Sequence, residues 1–273
     1  MPDFLLNGAT VGYGDEGSGD ALVLLHAAGS SGAQWRGMLP HLTPRYRVIT
    51  PDLYGHGKTD FWPDPDTLTH EDQAALLRAV LEDAGVECCD MVGHSYGGAT
   101  ALRYILQNPG VVKRFVIIEP MLLNLLVDAG EDEVLADLYR MSKGFLSSVE
   151  THGPEYAWKE FLDFRNGPGS WDGYSERTRN NFLQKTQGHI ANLKANMKNQ
   201  TPATELATIT VPTLAIKSEE ATSFDGRMVE IVAGALPDCE LITVPDTAHM
   251  LPLTHPDIVA GLVLKHLAGE PIT

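Results

Sequence analysis

The chain has 273 residues, 43% of them hydrophobic and 21% charged, enough for one large domain or a core carrying an insertion. Its formal net charge of −16 argues against nucleic acid or an anionic membrane as partner. The longest apolar run, around 115–127, is broken by Glu119, Pro120 and Asn124, so nothing is long enough to span a bilayer. Three cysteines, with Cys88 and Cys89 adjacent, make no disulfide framework. The first residues carry no basic, signal-like segment, and the chain reads as cytoplasmic and reduced.

Residues 4–6 and 10–13 flank Asn7-Gly8, the signature of a hairpin turn. Ala21-Leu22-Val23-Leu24-Leu25-His26 is a continuous apolar run, as expected of a strand buried on both faces. It leads into Ala27-Ala28-Gly29-Ser30-Ser31-Gly32, a loop of small residues where backbone can approach a ligand closely. A strand over 46–50 is closed by Pro51-Asp52-Leu53-Tyr54-Gly55-His56-Gly57. Thr69-His70-Glu71-Asp72 has the form of a capping box opening a helix, whose apolar face is Leu76, Ala79, Val80 and Ala84.

Cys88-Cys89-Asp90-Met91-Val92 is followed at once by Gly93-His94-Ser95-Tyr96-Gly97-Gly98 and a helix-forming segment. A sharp strand-to-helix turn that projects a serine hydroxyl forces a strained backbone at the serine, and the glycines leave room for it. The turn also aims a helix N-terminus at any negative charge forming beside Ser95. An ordinary helix N-cap is the plainer alternative for a serine in this position.

After the strand 115–119 the strand-helix alternation stops. Residues 121–205 read as helices around 131–146, 155–164, 175–187 and 189–198, with Asn166-Gly167-Pro168-Gly169 as a loop. Alternation resumes with a strand over 211–216, a helix over 227–235, a strand over 240–244 and a last helix over 256–267. The expected division is therefore a core of residues 1–120 and 206–273, interrupted by an all-helical lid, 121–205.

Four pieces in this order resemble the α/β-hydrolase superfamily over essentially the full length. They are Leu24-Leu25-His26-Ala27-Ala28-Gly29, Pro51-Asp52-Leu53-Tyr54-Gly55-His56-Gly57, Gly93-His94-Ser95-Tyr96-Gly97-Gly98 and Pro245-Asp246-Thr247-Ala248-His249-Met250. The resemblance implies an α/β fold: a mostly parallel eight-stranded sheet with helices on both faces and the helical lid in its usual place. It also implies Ser95 as nucleophile and His249 as base. A serine hydroxyl is a poor nucleophile at neutral pH, so an imidazole must take its proton, and a carboxylate must fix the imidazole's tautomer. The backbone N–H groups of Tyr96 and Ala28 are the implied oxyanion donors. His26 and His56 fall in the motifs as structural groups, His94 is expected to pack away from the chemistry, and His255 and His266 read as solvated or capping positions.

Two carboxylates compete for the third place. Most members of the superfamily carry the acid after the strand 213–216, but there the chain reads Ser218-Glu219-Glu220-Ala221 and the expected aspartate falls on Ala221. Glu220 is one residue away. Glu119 ends the strand after the serine helix, the position of the acid in zearalenone-type lactonases and haloalkane dehalogenases. A carboxylate there is expensive to bury without a partner, and His249 would supply one.

Met121, Leu122, Trp158, Phe161, Trp171 and Tyr174 are expected to line an apolar pocket over Ser95, although each also reads as ordinary packing. The resemblance then implies a serine hydrolase cleaving a small hydrophobic carboxylic ester or lactone through an acyl-enzyme. C–C bond hydrolysis of a diketone-type compound and a ligand-binding receptor that retains the triad are the alternatives. Ser95 stands where dehalogenases and epoxide hydrolases use aspartate. No metal-ligand spacing and no dinucleotide fingerprint is present, so no metal or cofactor is expected. Oligomeric state is not legible in the sequence.

Overall fold

The computed structural model describes residues 2–272. β1 (Asp3–Leu6) and β2 (Ala9–Gly17) form the hairpin, with Asn7 and Gly8 at φ 51° and 87° in its turn. Positive φ at both central residues matches the right-handed twist of the strands they join. β3 (Asp20–Leu25), β4 (Tyr46–Pro51), β5 (Cys89–His94), β6 (Val112–Ile118), β7 (Thr213–Ser218) and β8 (Cys239–Val244) complete one sheet of eight strands. Its order is β1-β2-β4-β3-β5-β6-β7-β8. β2 runs antiparallel to β1 and β4, and every other neighbouring pair is parallel.

A 3-10 helix (Gly32–Gly37) and α1 (Leu39–Leu42) follow β3, α2 (His70–Asp83) precedes β5, and α3 (Tyr96–Gln107) leaves it. Thr69 caps α2 in the expected box with Asp72. Among the described residues only helices lie between β6 and β7. These are α4 (Leu123–Asp128), α5 (Asp132–His152), α6 (Pro154–Asn166), α7 (Ser170–Gly173), α8 (Glu176–Gln184), α9 (Thr186–Lys198) and α10 (Ala203–Leu206). α11 (Ser223–Ala235), α12 (Leu251–Thr254) and α13 (Pro256–Ala268) close the chain.

One face of the sheet packs Val23, Met91 and Ile117 against Leu77 of α2, Leu102 of α3 and Val229 of α11. The other packs Leu24, Val92 and Val116 against Trp35, Leu42 and Val263. Burial on both sides is why these strands carry unbroken apolar runs.

Helix boundaries in the insertion differ from the periodicity. α5 continues to His152 because Gly153, at φ 90°, and Pro154, in the first turn of α6, are what end it. α9 starts at Thr186 and not at 189. The root of the insertion packs Leu123, Leu126 and Leu138 onto Phe224 and Met228 of α11, while Phe145, Trp158, Leu162 and Trp171 form a separate core within it. No helix of the described residues is long and apolar enough to cross a membrane.

Candidate active site

Ser95 joins β5 to α3 at φ 55° and ψ −117°, a backbone conformation that costs a non-glycine residue about 1–3 kcal/mol. Its neighbours show why glycine is needed. A Cβ on Gly97 would lie 2.4 Å from the Leu25 carbonyl oxygen, and one on Gly93 would lie 2.8 Å from Gly98 Cα. The Ser95 N–H donates to Ile118 O at 2.9 Å and its carbonyl accepts from Met121 N–H at 3.3 Å, pinning the turn to the end of β6. Tyr96 is the first residue of α3, where a backbone N–H has no intrahelical acceptor.

Glu119 leaves β6 at φ 40° and is fully buried. Its Oε2 accepts from His249 Nδ1 at 2.7 Å, and its Oε1 accepts from the Ser218 N–H at 2.6 Å. With Nδ1 donating to the carboxylate, Nε2 is the ring nitrogen left to accept a proton. Burial alone would raise the Glu119 carboxyl, but the hydrogen bond and charge of His249 and the Ser218 N–H outweigh it and hold the group below the usual carboxylate range. Glu220 is exposed, and its own N–H closes the loop on Thr247 O at 2.9 Å. The carboxylate on His249 is the one from the end of β6.

A second carboxylate stands nearby that the sequence reading did not single out. Asp225, also fully buried, places Oδ2 3.6 Å from His249 Nδ1, beyond hydrogen-bond reach. The same oxygen accepts from Arg165 at 2.7 Å and from Thr222 Oγ1 at 2.6 Å. Thr222-x-x-Asp225 has the spacing of a helix-capping pair, as does Thr69-x-x-Asp72, and that pattern was the available signal. Donor atoms of Glu119, Asp225 and His249 lie within 4.8 Å of one another, the geometric condition for a cation site. Arg165 already supplies a positive charge there.

His94 does not pack away from this cluster. Its Nε2 donates to the His249 carbonyl at 2.9 Å, its Nδ1 accepts from Gln34 Nε2 at 3.1 Å, and Gln34 Oε1 accepts from the Ala27 N–H at 3.1 Å. One buried relay thus joins the loop after β3, the serine turn and the His249 loop. His26 Nδ1 donates to Ala27 O at 2.8 Å and its Nε2 accepts from the Leu53 N–H at 3.1 Å. His56 Nδ1 donates to Tyr54 O at 3.0 Å, while its Nε2 accepts from the Gly29 N–H at 3.0 Å. The N–H groups on both sides of Ala28 are therefore committed, which fixes the Ala28 peptide. His266 is buried, not solvated, with Nε2 donating to Pro212 O at 3.1 Å.

Ser95, His249 and Ala28 line a cavity of about 540 Å³ roofed by the insertion. Met121, Trp158, Phe161 and Tyr174 line it as expected. Leu122 and Trp171 do not. Leu122 points into the sheet core beneath α11, and its N–H contacts Met228 Sδ at 3.3 Å. Trp171 is consumed by the packing inside the insertion. The lining is mainly apolar, but Arg165, Lys185 and His189 also reach its wall.

The family model of the alpha/beta hydrolase fold matches residues 20–256. The chain belongs to that family. An uncharacterised protein of Mycobacterium tuberculosis is 36% identical over 102 residues, a stretch covering 37% of this chain and 29% of that protein. The chain thus matches less than a third of the length of that relative. A soluble epoxide hydrolase of Corynebacterium sp. is 24% identical over 97% of this chain and 96% of its own. A probable esterase of Oryza sativa subsp. japonica is 27% identical over 93% and 94%. Among solved structures, a thermophilic esterase from Thermogutta terrifontis superposes with TM-score 0.75 at 19% identity, over 98% of this chain and 96% of that one.

Proposed function

We propose that this chain is a serine hydrolase that cleaves a carboxylic ester or lactone through an acyl-enzyme. The observation carrying this reading is the 2.7 Å bond from His249 Nδ1 to the buried Glu119 carboxylate, on the cavity that Ser95 lines from a strained turn. In this reading His249 Nε2 takes the Ser95 proton as Oγ attacks the carbonyl carbon. The negative charge on the tetrahedral oxygen is met by the Tyr96 and Ala28 N–H groups, each worth about 3 kcal/mol to that intermediate. The imidazolium then returns its proton to the leaving alkoxide, and water repeats the cycle to release the acid. Glu119 stabilises the imidazolium without itself being protonated. Asp225 and Arg165 form a compensated pair beside it, so the charge developing on His249 meets one net negative neighbour.

A fluorophosphonate probe tests the assignment. Labelling of the wild type at Ser95, mapped by peptide mass spectrometry, is expected to collapse in Glu119→Gln and to persist in Glu220→Gln. Loss in Glu220→Gln alone, or labelling at another residue, would sink it. Turnover of simple esters beside a β-diketone separates ester from C–C cleavage.

A further inference from the structure

Lys185, at the N-cap of α9, His189 one turn on and Leu193 another turn on face the cavity that Ser95 and His249 line. The Lys185 ammonium donates to Gly29 O and to Ser30 O, both at 3.2 Å. Among the described residues no carboxylate oxygen lies within the 4.0 Å of an ion pair with it. Burial pulls its pKa below the usual lysine range, and Asp52, farther off, only partly opposes this.

His189 is 2% exposed, and neither ring nitrogen has a hydrogen-bond partner. Its ring is walled by Phe145, Trp158 and Phe161, with centroids 4.7, 4.6 and 4.7 Å away. Burial, with the neighbouring His56 and Arg165, pushes it down to about 3, so at neutral pH it is an uncharged imidazole with one N–H to donate. Both side chains come up to the same residue, Gly29. A Cβ built on Gly29 would lie 3.9 Å from His189 Nδ1, and the Gly29 carbonyl is one of the two that hold Lys185. Gly29 adjoins Ala28, the expected oxyanion donor.

A half-buried cation without a counter-ion and a buried imidazole without a partner are each costly. One anionic oxygen pair reaching both would satisfy the two together. The geometry points to Lys185 and His189 as a recognition site for a carboxylate on the substrate, so that the ester cleaved at Ser95 also carries a free acid group across an apolar span. One ammonium matches the single charge of a carboxylate better than the double charge of a phosphate monoester. Trp158, Phe161 and Met121 supply the apolar span. This deepens the hydrolase reading and rests on it. The chain's overall charge of −16 is locally reversed at this wall.

The test compares p-nitrophenyl hydrogen adipate and suberate with their methyl-capped counterparts, which have nearly the same shape and no charge. Wild type is expected to favour a free acid over its capped form by about tenfold or more in kcat/KM, mostly through KM, as for a charge-assisted hydrogen bond. That ratio should fall to near unity in Lys185→Met, drop partway in His189→Phe, and recover in Lys185→Arg. A wild-type ratio near unity for both chain lengths overturns the proposal, as does a ratio that survives in Lys185→Met. Calorimetry on Ser95→Ala with monomethyl suberate against dimethyl suberate reads the site without chemistry. Tighter binding of the monomethyl acid, with no turnover of any ester by wild type, would keep the carboxylate site and sink the hydrolase reading. Equal binding of the two esters would overturn the site itself.

Discussion

The floor and the roof of the cavity are built by different physics. On the floor nearly every polar group sits at a strand end and has a named partner: Glu119 with His249 and Ser218, His94 with Gln34 and the His249 carbonyl, Asp52 with the Gly32 and Lys58 N–H groups. The roof is made of rings, such as Trp158 with Phe182 at 5.0 Å and Tyr174 with Phe182 at 5.7 Å. It touches the floor through a few polar links: Arg165 to Asp225, Lys185 to Gly29 and Ser30, Asn196 to His70, and Asn192 to His56. Directional bonds fix positions to tenths of an ångström, whereas aromatic packing fixes shape and tolerates exchange. Chemistry belongs to the first kind of construction and selectivity to the second.

Substitutions on the floor should therefore act on kcat and those on the roof on KM. Ser95→Ala is expected to lower kcat by about 10⁴-fold or more with an unchanged melting curve, read by ester turnover and calorimetry. Glu119→Gln should cost about 10³–10⁴-fold, because the amide no longer holds the Nδ1–H tautomer. Asp225→Asn should cost less than about tenfold in kcat but about 3 kcal/mol in stability, since it leaves Arg165 buried without its counter-charge. Equal kcat losses in those two variants would erase the distinction between the two carboxylates.

Acid separates floor from roof less sharply, because buried histidines stand in both. His26 and His70 are held at about 4 and His189 at about 3 by burial, against an ordinary 6.5. The unfolded chain thus binds protons that the folded chain refuses. Stability is complete above 6.5 and falls toward pH 4, by about 1.4 kcal/mol per pH unit for each such histidine. The depressed Glu119 adds its own loss only below its ordinary 4.5, as pH falls through its folded value. Urea titrations at stepped pH should show the decline beginning between 6.5 and 5; a flat profile there would mean these rings are already protonated in the folded protein.

Smaller effects refine the contrast. Gln34→Leu cuts the relay to the His249 carbonyl and should reduce kcat by about tenfold with little change in KM. Phe182→Ala should instead raise KM for long acyl chains by about threefold to tenfold and leave kcat alone. A kcat effect from Phe182→Ala would show that the roof also orients the floor.

Floor residues were legible because their positions are over-determined. The Ser95 turn needs Gly93 and Gly97 to avoid backbone at 2.4–2.8 Å, so the spacing itself carries the structure. Glu119 was legible as a charge that no apolar strand would end on without reason. Asp225 went unassigned because the one signal it carries, the Thr222-x-x-Asp225 helix cap, says nothing of the histidine beside its carboxylate. In the roof, Trp158 and Trp171 have the same composition and nearly the same burial, yet one lines the cavity and the other does not. Only the side of its helix that each ring takes separates them, and nothing in the spacing marks Lys185 or His189 as facing the cavity. Leu122 fell to the same cause: beside Met121 it points to the opposite side.

The insertion leaves the sheet at the C-terminal end of β6, and the chain re-enters at the start of β7, beside Phe115. Glu119 N–H donates to Ile216 O at 3.3 Å, and Ser218 N–H returns the tie to the Glu119 side chain. The helices between β6 and β7 form a detour, and β7 then runs alongside β6 until its last residues tie back to Glu119. Such a detour behaves as an exchangeable cassette: a foreign roof grafted between Pro120 and Val211 would inherit an intact Glu119–His249 bond and bring a new lock with it. Chemistry and specificity can in this way diverge at different speeds within a single chain.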